Sequence, residues 1–314
     1  MLPQFDIIQP RSLDEACEAL TKYQSAGVVV LAGGTDLLVD MRKPLIPEHL
    51  PRCKGCDPRT GTAPRKVNKP PSYLIALSRI PEMSGIAVSE PGEISIGAMT
   101  TITDLCQSRI IREKLTALAQ GADNLGSPLV RNRGTIGGNI CNARPAADTF
   151  IPAVALGAKL ELRSQRGLRL IPAQDFAVGP GKTVREEDEI LTKIIFPVSA
   201  DRTGSSCIKL ANRKALEIAV VSAASLLTLD IKGKISSARI ALGAVAPTPI
   251  LTPKAAAFLS GKDPSDANFL KAGEIAVSEC HPISDHRGSL DYRREMVSVL
   301  VSRSLAAAFA SIIV

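Results

Sequence analysis

Two Gly-Gly pairs constrain this chain more than any other feature of its sequence. The first lies in "LAGGTDLL" (31–38) and the second in "TIGGNI" (135–140), and each ends or interrupts an apolar run. Because glycine has no Cβ, such pairs mark tight turns or places where another group approaches the main chain. Successive N–H groups in a glycine turn also form a concavity that binds anions. The pairs therefore predict either two simple turns or one phosphate site built from both.

The segments around the two pairs alternate between helix and strand patterns. Residues 12–26 predict a helix, with Ser12 as its N-cap and Glu15 at the capping-box spacing. Residues 101–126 predict a turn that becomes a helix through about Ala122, and the C-terminal residues predict an amphipathic helix. A second β-rich unit begins near Ser205 and contains a hairpin at "IKGK". Further strands are predicted at residues 28–32, 73–80, 93–100 and 188–197.

The length of the chain, 314 residues, allows two or three domains, each with its own core. A long Pro-rich loop separates the first predicted lobe from the second, and a break near residues 199–205 precedes the second β-rich unit. The predicted division is therefore a first lobe, an inserted loop, a second lobe and a C-terminal domain, at residues 1–50, 51–72, 73–200 and 205–314.

The net charge of +7 comes almost entirely from that loop. Between Arg42 and Pro71 there are eight Lys/Arg and two Asp/Glu, a balance of +6 that leaves +1 for the rest. A charge confined to one loop, with only 3% aromatic residues, argues against nucleic-acid binding. Apolar runs stay below the roughly 18 residues that a membrane span needs. The sequence predicts a cytoplasmic protein without a membrane span.

The same loop carries the element "CKGC", which places Cys53 and Cys56 at a metal-ligand spacing. Two thiolates supply half of a tetrahedral zinc or iron–sulfur site, so the other ligands would come from Cys106, Cys141 or a partner chain. A redox-inert docking loop and a redox-active dithiol are the alternatives. The sequence therefore predicts a metal site at Cys53 and Cys56.

Four stretches occur in a specific order: "VVVLAGGTDLL", "ISIGAMTTITDL", "GTIGGNICNARPAAD" and "YRREMVSVLVSRSLAAA". In this order they resemble the FAD-binding subunit of the molybdenum hydroxylases, a family that includes the carbon monoxide dehydrogenase medium subunit and the xanthine dehydrogenase FAD-binding subunit. The resemblance implies an α+β fold. Two subdomains of the vanillyl-alcohol-oxidase-like (PCMH-type) class would clamp FAD, followed by a small C-terminal α+β domain with a three-stranded sheet and helices.

The resemblance also implies the residues that hold FAD, and it implies that the glycines let its diphosphate touch the main chain. Taken alone, Asp148 also fits a helix N-cap and Lys209 a solvated lysine. The implied contacts with FAD come from both glycine turns, the cleft between them, two apolar residues and two charged residues: Leu31, Ala32, Gly33, Gly34, Thr35, Asp36, Leu37, Gly97, Thr100, Thr101, Leu125, Thr135, Ile136, Gly137, Gly138, Asn139, Asp148, Leu191 and Lys209.

The function implied by the resemblance is electron transfer, and no catalytic side chain is expected because the flavin carries the redox chemistry. Electrons would come from a [2Fe-2S] small subunit that serves a molybdopterin-binding large subunit, in a heterohexamer with two copies of each chain. They would pass to an external acceptor such as NAD, a quinone or ferredoxin. The alternative is a scaffold of the same fold that carries no flavin and docks partners through the basic loop.

Overall fold

A parallel sheet of three strands forms the first lobe. The computed structural model describes residues 2–42, 70–89, 92–198 and 200–313. The central strand β3 pairs with β1 on one side and β2 on the other, both in parallel. Because β3 follows the Pro-rich loop, the first sheet continues past the predicted division at residue 73. The elements of this lobe are β1 (Asp6–Ile8), α1 (Leu13–Lys22), β2 (Val28–Leu31), α2 (Leu37–Arg42) and β3 (Tyr73–Ala76).

Helix α1 begins where the sequence predicts. The side chain of Ser12 accepts a hydrogen bond from the backbone N–H of Glu15 at 3.2 Å. The carboxylate of Glu15 accepts from the backbone N–H of Arg11 at 2.8 Å, one residue before the expected reciprocal partner. The helix buries Leu13, Cys17 and other apolar residues against the core of the first two lobes.

An antiparallel five-stranded sheet forms the second lobe, in the order β4-β5-β10-β6-β7. Six short helices connect β5 to β6, and a small two-stranded hairpin lies between β7 and β10. The elements are β4 (Ile86–Ser89), β5 (Glu93–Gly97), α3 (Ile102–Gln107), α4 (Arg109–Lys114), α5 (Thr116–Asp123), α6 (Pro128–Arg131), α7 (Ile136–Cys141), α8 (Phe150–Ala155), β6 (Lys159–Ser164), β7 (Gly167–Pro172), β8 (Ala177–Gly179), β9 (Lys182–Thr183) and β10 (Ile190–Pro197).

The prediction of one helix after an initial turn, ending at about Ala122, is wrong, because three helices occupy residues 102–123. Thr101 caps α3 through a capping box with Asp104. Ser108 then adopts an extended conformation, and its hydroxyl accepts from the N–H of Ile111 to begin α4. Short hydroxyl side chains compete with helical hydrogen bonds, and they serve here as caps in the middle of an apparently continuous pattern.

The C-terminal domain has the three long strands that were expected and a fourth of two residues. The "IKGK" hairpin joins β12 to β13, and the sheet order is β11-β12-β13-β14. Three helices pack on this sheet and build a second hydrophobic core. The elements are β11 (Thr203–Leu210), β12 (Val221–Leu229), β13 (Ile235–Gly243), β14 (Ile250–Leu251), α9 (Pro253–Leu259), α10 (Asp266–Val277) and α11 (Leu290–Ile313).

Helix α11 is, within the described residues, the one helix whose length and hydropathy would allow it to cross a membrane. A single such helix is weak evidence, since core helices pass the same test. Here Val297, Val301 and Leu305 are buried in the second core. The terminal helix therefore packs against the C-terminal sheet, as its amphipathic pattern predicts.

Candidate functional site

The two glycine turns lie side by side although more than ninety residues separate them. A Cβ added to Gly33 would overlap the carbonyl oxygen of Arg133 and lie 3.1 Å from the Cα of Gly134. A Cβ added to Gly138 would lie 3.9 Å from the Cβ of Ala32. The end of β2 in the first lobe thus meets the segment around α7 in the second.

The first turn presents backbone donors that the protein does not use. It connects β2 to α2, and Gly34 has a φ of +76°, a conformation that favours glycine. Throughout the described chain, the N–H groups of Gly33, Gly34 and Thr35 donate to no acceptor. Buried or half-buried N–H groups normally have a partner, so these three fit an anionic ligand.

The second turn differs, because the protein satisfies most of its donors. Thr135 caps the short helix α7, and its hydroxyl accepts from the N–H of Gly138 at 3.1 Å. The N–H of Gly137 donates to the carbonyl of Ala98 at 2.9 Å, and a Cβ on Gly137 would lie 2.6 Å from the Cβ of Ala98. Close packing within the protein therefore requires this glycine.

Contacts within the protein thus require two of the four glycines, whether or not a ligand approaches them. Main-chain atoms of the second lobe fill the space beside Gly33, and Ala98 fills the space beside Gly137. Gly34 is set by its positive φ. A Cβ on Gly138 would meet the hydroxyl of Thr135 at 2.9 Å and otherwise face the cleft.

A cleft of about 1230 Å³, part of it open to solvent, runs between the first two lobes beside these turns. Its lining joins residues from β2, both turns, α3, α6 and β10. Twelve of the predicted residues line it: Ala32, Gly33, Gly34, Thr35, Asp36, Leu37, Leu125, Thr135, Gly137, Gly138, Asn139 and Leu191.

The structure gives structural roles to several predicted residues outside the cleft lining. Thr100 is buried, and its hydroxyl bonds to the N–H and the carbonyl of Gly85. Gly97 packs against the main chain of Met83, where a Cβ would overlap the carbonyl. Thr101 caps α3. None of the three is among the residues that line the cleft, and their contact with FAD stays a prediction. The strand residue Leu31 and the buried Ile136 also lie outside the lining.

Asp148 and Lys209 form an ion pair that joins the second lobe to the C-terminal sheet. The Nζ of Lys209 lies 2.9 Å from Oδ1 of Asp148 and donates to the carbonyl of Asn124 at 3.1 Å. The side chains are 8% and 14% exposed, so Lys209 is not a solvated lysine. The N-cap of α8 is Thr149 and not Asp148. The pair does not line the cleft, although Asn124 precedes Leu125, which does.

Burial dominates the ionisation of Asp148. Desolvation raises the pKa of its carboxyl to about 6, and the nearby ammonium of Lys209 opposes this shift. A carboxyl whose pKa is higher in the folded chain contributes stability at low pH, and that contribution is lost as pH rises through the folded value.

We therefore expect the difference in unfolding free energy between the unmodified chain and Asp148→Asn to fall as pH rises from about 4 to about 6. Above that range it should be constant. Urea unfolding of both proteins across this range measures the difference. Because the other titratable groups are the same in both proteins, their contributions cancel when the two free energies are subtracted. A difference that grows with pH would mean that Lys209 outweighs burial.

Several residues that line the cleft belong to no motif recognised in the sequence. Val29 and Val30 of β2 directly precede the first turn, and their position beside it was a usable signal. Thr183, Arg185 and Glu189 come from the loop between β9 and β10. That loop has an ordinary charged sequence, which is typical of a solvated surface.

The metal prediction is not borne out. Cys53 and Cys56 lie outside the described residues, and within those residues no group of three or more His, Cys, Asp or Glu could hold a metal ion. Of the other ligands considered, Cys141 lines the cleft and Cys106 is half-buried. Burial raises the pKa of the Cys106 thiol to about 11, which disfavours a thiolate.

Two domain families match this chain. The family described as "FAD binding domain in molybdopterin dehydrogenase" matches residues 59–199, and "CO dehydrogenase flavoprotein C-terminal domain" matches residues 206–308. The carbon monoxide dehydrogenase medium chain of Hydrogenophaga pseudoflava is 34% identical over 309 residues, covering 98% of each chain. The xanthine dehydrogenase FAD-binding subunit of Escherichia coli O157:H7 is 32% identical over 284 residues, covering 90% of this chain and 89% of that one.

This chain belongs to the FAD-binding medium subunits of the molybdenum hydroxylases. The resemblance inferred from the four stretches is confirmed, as are the α+β fold and FAD as the cofactor. Solved structures agree: a carbon monoxide dehydrogenase from Hydrogenophaga pseudoflava that lacks the Mo-pyranopterin moiety aligns with a TM-score of 0.86 at 33% identity, covering 99% of each chain. Quinoline 2-oxidoreductase from Pseudomonas putida 86 aligns with a TM-score of 0.85 at 28% identity, covering 100% of each.

Proposed function

We propose that this chain binds FAD in the cleft between its first two lobes and passes electrons between an iron–sulfur partner and an external acceptor. The observation that carries the proposal is the set of three N–H donors on Gly33, Gly34 and Thr35, which line the cleft and donate to no acceptor among the described residues. FAD supplies the redox chemistry when bound, while the protein supplies binding, orientation and electrostatics.

Different residues of the cleft would contact different parts of the cofactor. The N–H groups of Gly33, Gly34 and Thr35 would hold the diphosphate, because no acceptor among the described residues takes a hydrogen bond from them. Gly138 would let the ligand approach the second turn. The carboxamide oxygen of Asn139 accepts from the hydroxyl of Thr149 at 2.7 Å, which fixes this side chain at the cleft wall. Leu125 and Leu191 supply apolar surface.

Asp148 and Lys209 are proposed to act at the Leu125 end of the cleft. Lys209 reaches across from β11 and bonds to the carbonyl of Asn124, which places a buried cation one residue from a lining residue. The pair also joins the C-terminal domain to the FAD lobes. A cofactor contact of either side chain remains a proposal.

The partners follow from membership in a family of medium subunits. The relatives named above are subunits of dehydrogenases, so substrate oxidation belongs to another chain of the complex. We propose a molybdopterin-binding large subunit and a [2Fe-2S] small subunit, in a heterohexamer with two copies of each chain. NAD, a quinone or ferredoxin would accept the electrons, and the cytoplasmic location stays a prediction.

The visible absorbance of the purified full chain tests the proposal. We expect the spectrum of oxidised flavin, and after denaturation the released cofactor should be FAD at about one per chain. A chain that is colourless, and that retains no flavin absorbance after FAD is added and the unbound FAD is removed, would contradict the proposal. That result would instead support the flavin-free scaffold.

A further inference from the structure

A single helical turn separates the cleft from the outer surface of the second lobe. Helix α6 begins after Ser127, whose hydroxyl accepts a hydrogen bond from the N–H of Val130. Past the end of α6, the N–H of Gly134 donates to the carbonyl of Val130, so the helical turn continues to Gly134. Residues four apart on such a turn lie side by side. We call residues 128–134 the α6 wall.

The α6 wall has an inner row and an outer row of residues. Val130 and Gly134 form the inner row and line the cleft. Leu129 and Arg133, which directly precede them, form the outer row; Arg133 is exposed, and Leu129 is 80% exposed. An α-helix with its side chains is about 10–12 Å in diameter. A protein that docks on the outer row is therefore separated from the cleft by about one helix diameter.

The α6 wall also carries positive charge that other side chains do not neutralise. Across the residues that the structure describes, no carboxylate forms an ion pair with Arg131 or Arg133. The Nη1 of Arg131 donates instead to the carbonyls of Asp123 and Leu125, at 3.2 and 3.0 Å. The carboxylate of Asp123 is paired with Arg112. The charge of this surface is therefore complementary to an acidic partner.

The exposed leucine favours a permanent subunit over a soluble electron acceptor. Soluble redox partners usually meet through small, weak interfaces, whereas the interfaces of permanent complexes are more apolar. Leu129 beside Arg133 combines an apolar contact with a charged one, and arginine is enriched at protein interfaces. We expect the covering surface to be acidic with an apolar centre.

The electron donor must also come close to the cofactor, because electron transfer slows steeply as the distance between two redox centres grows. The α6 wall meets this requirement with one helical turn. Strand β7 exposes Leu168, but none of its residues lines the cleft. Exposed apolar surface on β7 therefore lacks the second property that the α6 wall has.

We propose that the outer row of the α6 wall, Leu129 and Arg133, is the surface on which the [2Fe-2S] small subunit docks. An acidic face of that subunit would lie against Arg133, and an apolar side chain would cover Leu129. The inference rests on the proposed function, since it gives the electron donor of that function a place on this chain.

Variants of the full chain, co-expressed with its partner subunits, test this surface. We expect Leu129→Glu combined with Arg133→Glu to lower the iron-to-FAD ratio of the isolated complex by at least about fivefold, because two carboxylates would face an acidic surface. The FAD content per chain should stay the same. Leu168→Glu combined with Arg109→Glu is the matched control, because both residues are exposed in the same lobe and lie outside the cleft lining. The control should keep the iron-to-FAD ratio.

Cross-linking of the intact complex identifies the subunit that covers the outer row. Arg133→Lys keeps the positive charge and supplies an amine, which a carbodiimide joins to a neighbouring carboxylate. We expect the peptide joined at position 133 to come from the iron–sulfur subunit. Arg109→Lys should give no link to that subunit.

Hydroxyl-radical footprinting of the unmodified chain covers the case in which the charged variants fail to fold. Leu129 should be oxidised at least about fivefold more slowly in the complex than in the isolated chain with FAD bound, because a buried interface excludes water. Leu168 should be oxidised at the same rate in both.

Four results would overturn the inference: the variant of the outer row keeps its iron, the control loses as much iron, the link at position 133 is absent or leads to another subunit or a soluble acceptor, or Leu129 is not protected. Obtained with a chain that carries FAD, these results contradict the inference alone. A full chain that binds no FAD contradicts the proposed function as well.

Discussion

Gly33→Ala is expected to lower the free energy of unfolding by about 1–3 kcal/mol and to weaken FAD binding at least about tenfold. The new Cβ would overlap the carbonyl oxygen of Arg133, so the two turns would have to separate. A main-chain atom cannot rotate away as a side chain can. The separation would displace the N–H groups of the first turn from the diphosphate. Urea unfolding and fluorescence titration with FAD measure the two effects.

Gly179→Ala is the matched control for this experiment. It lies in β8 of the second lobe, and a Cβ there would have as its nearest neighbour the flexible side chain of Lys182 at 3.9 Å, an ordinary contact. The control should leave both stability and FAD affinity close to those of the unmodified chain. If Gly33→Ala behaved like Gly179→Ala, the contact between the turns would not hold the cleft together.

Lys209→Met is expected to destabilise the chain by about 3 kcal/mol at neutral pH. The variant leaves the buried carboxylate of Asp148 without its cation. The carboxyl group must then stay charged where water solvates it weakly, or it must take up a proton. The loss should be smaller near pH 5, because Asp148 is then largely protonated in the unmodified chain as well. Urea unfolding at both pH values measures the change.

Two further variants separate this effect from an ordinary change of surface charge. Replacing the whole pair, Lys209→Met with Asp148→Leu, should restore stability to within about 1 kcal/mol, since apolar side chains can replace a buried ion pair. Lys234→Met breaks an exposed ion pair with Asp263 in the same domain and should cost at most about 1 kcal/mol. A cost for Lys209→Met no larger than that of Lys234→Met would contradict the role assigned to the buried pair.

Short sequence patterns predicted the features that depend on residues near one another in the chain. The glycine pair after "VVVL" predicted a strand that ends in a turn, and Ser12 with Glu15 predicted the start of α1. The order of the four stretches predicted the family, and with it the meeting of two turns from separate lobes. The strand, the turn and the helix start each depend on residues that are close together in the chain, and each of the four stretches is itself short.

The parts that could not be predicted depend on contacts across the fold. The neighbour that requires Gly33 to be a glycine is a carbonyl group a hundred residues away, and a carbonyl is present at every position of a sequence. Arg185 and Glu189 belong to an ordinary charged loop, and the structure places them in the cleft only by bringing that loop beside β2. Ser108 could have been recognised as a second N-cap, because its residue type favours caps over helix interiors.

Amide hydrogen exchange, measured residue by residue with and without FAD, tests the central claim most directly. That claim is that the first turn holds the diphosphate while the second turn is already satisfied by the protein. We predict that FAD protects the N–H groups of Gly33, Gly34 and Thr35 strongly, and that those of Gly137 and Gly138 are protected before FAD is added and change little. Unchanged exchange at Gly33, Gly34 and Thr35 in a chain that has bound FAD would contradict the account.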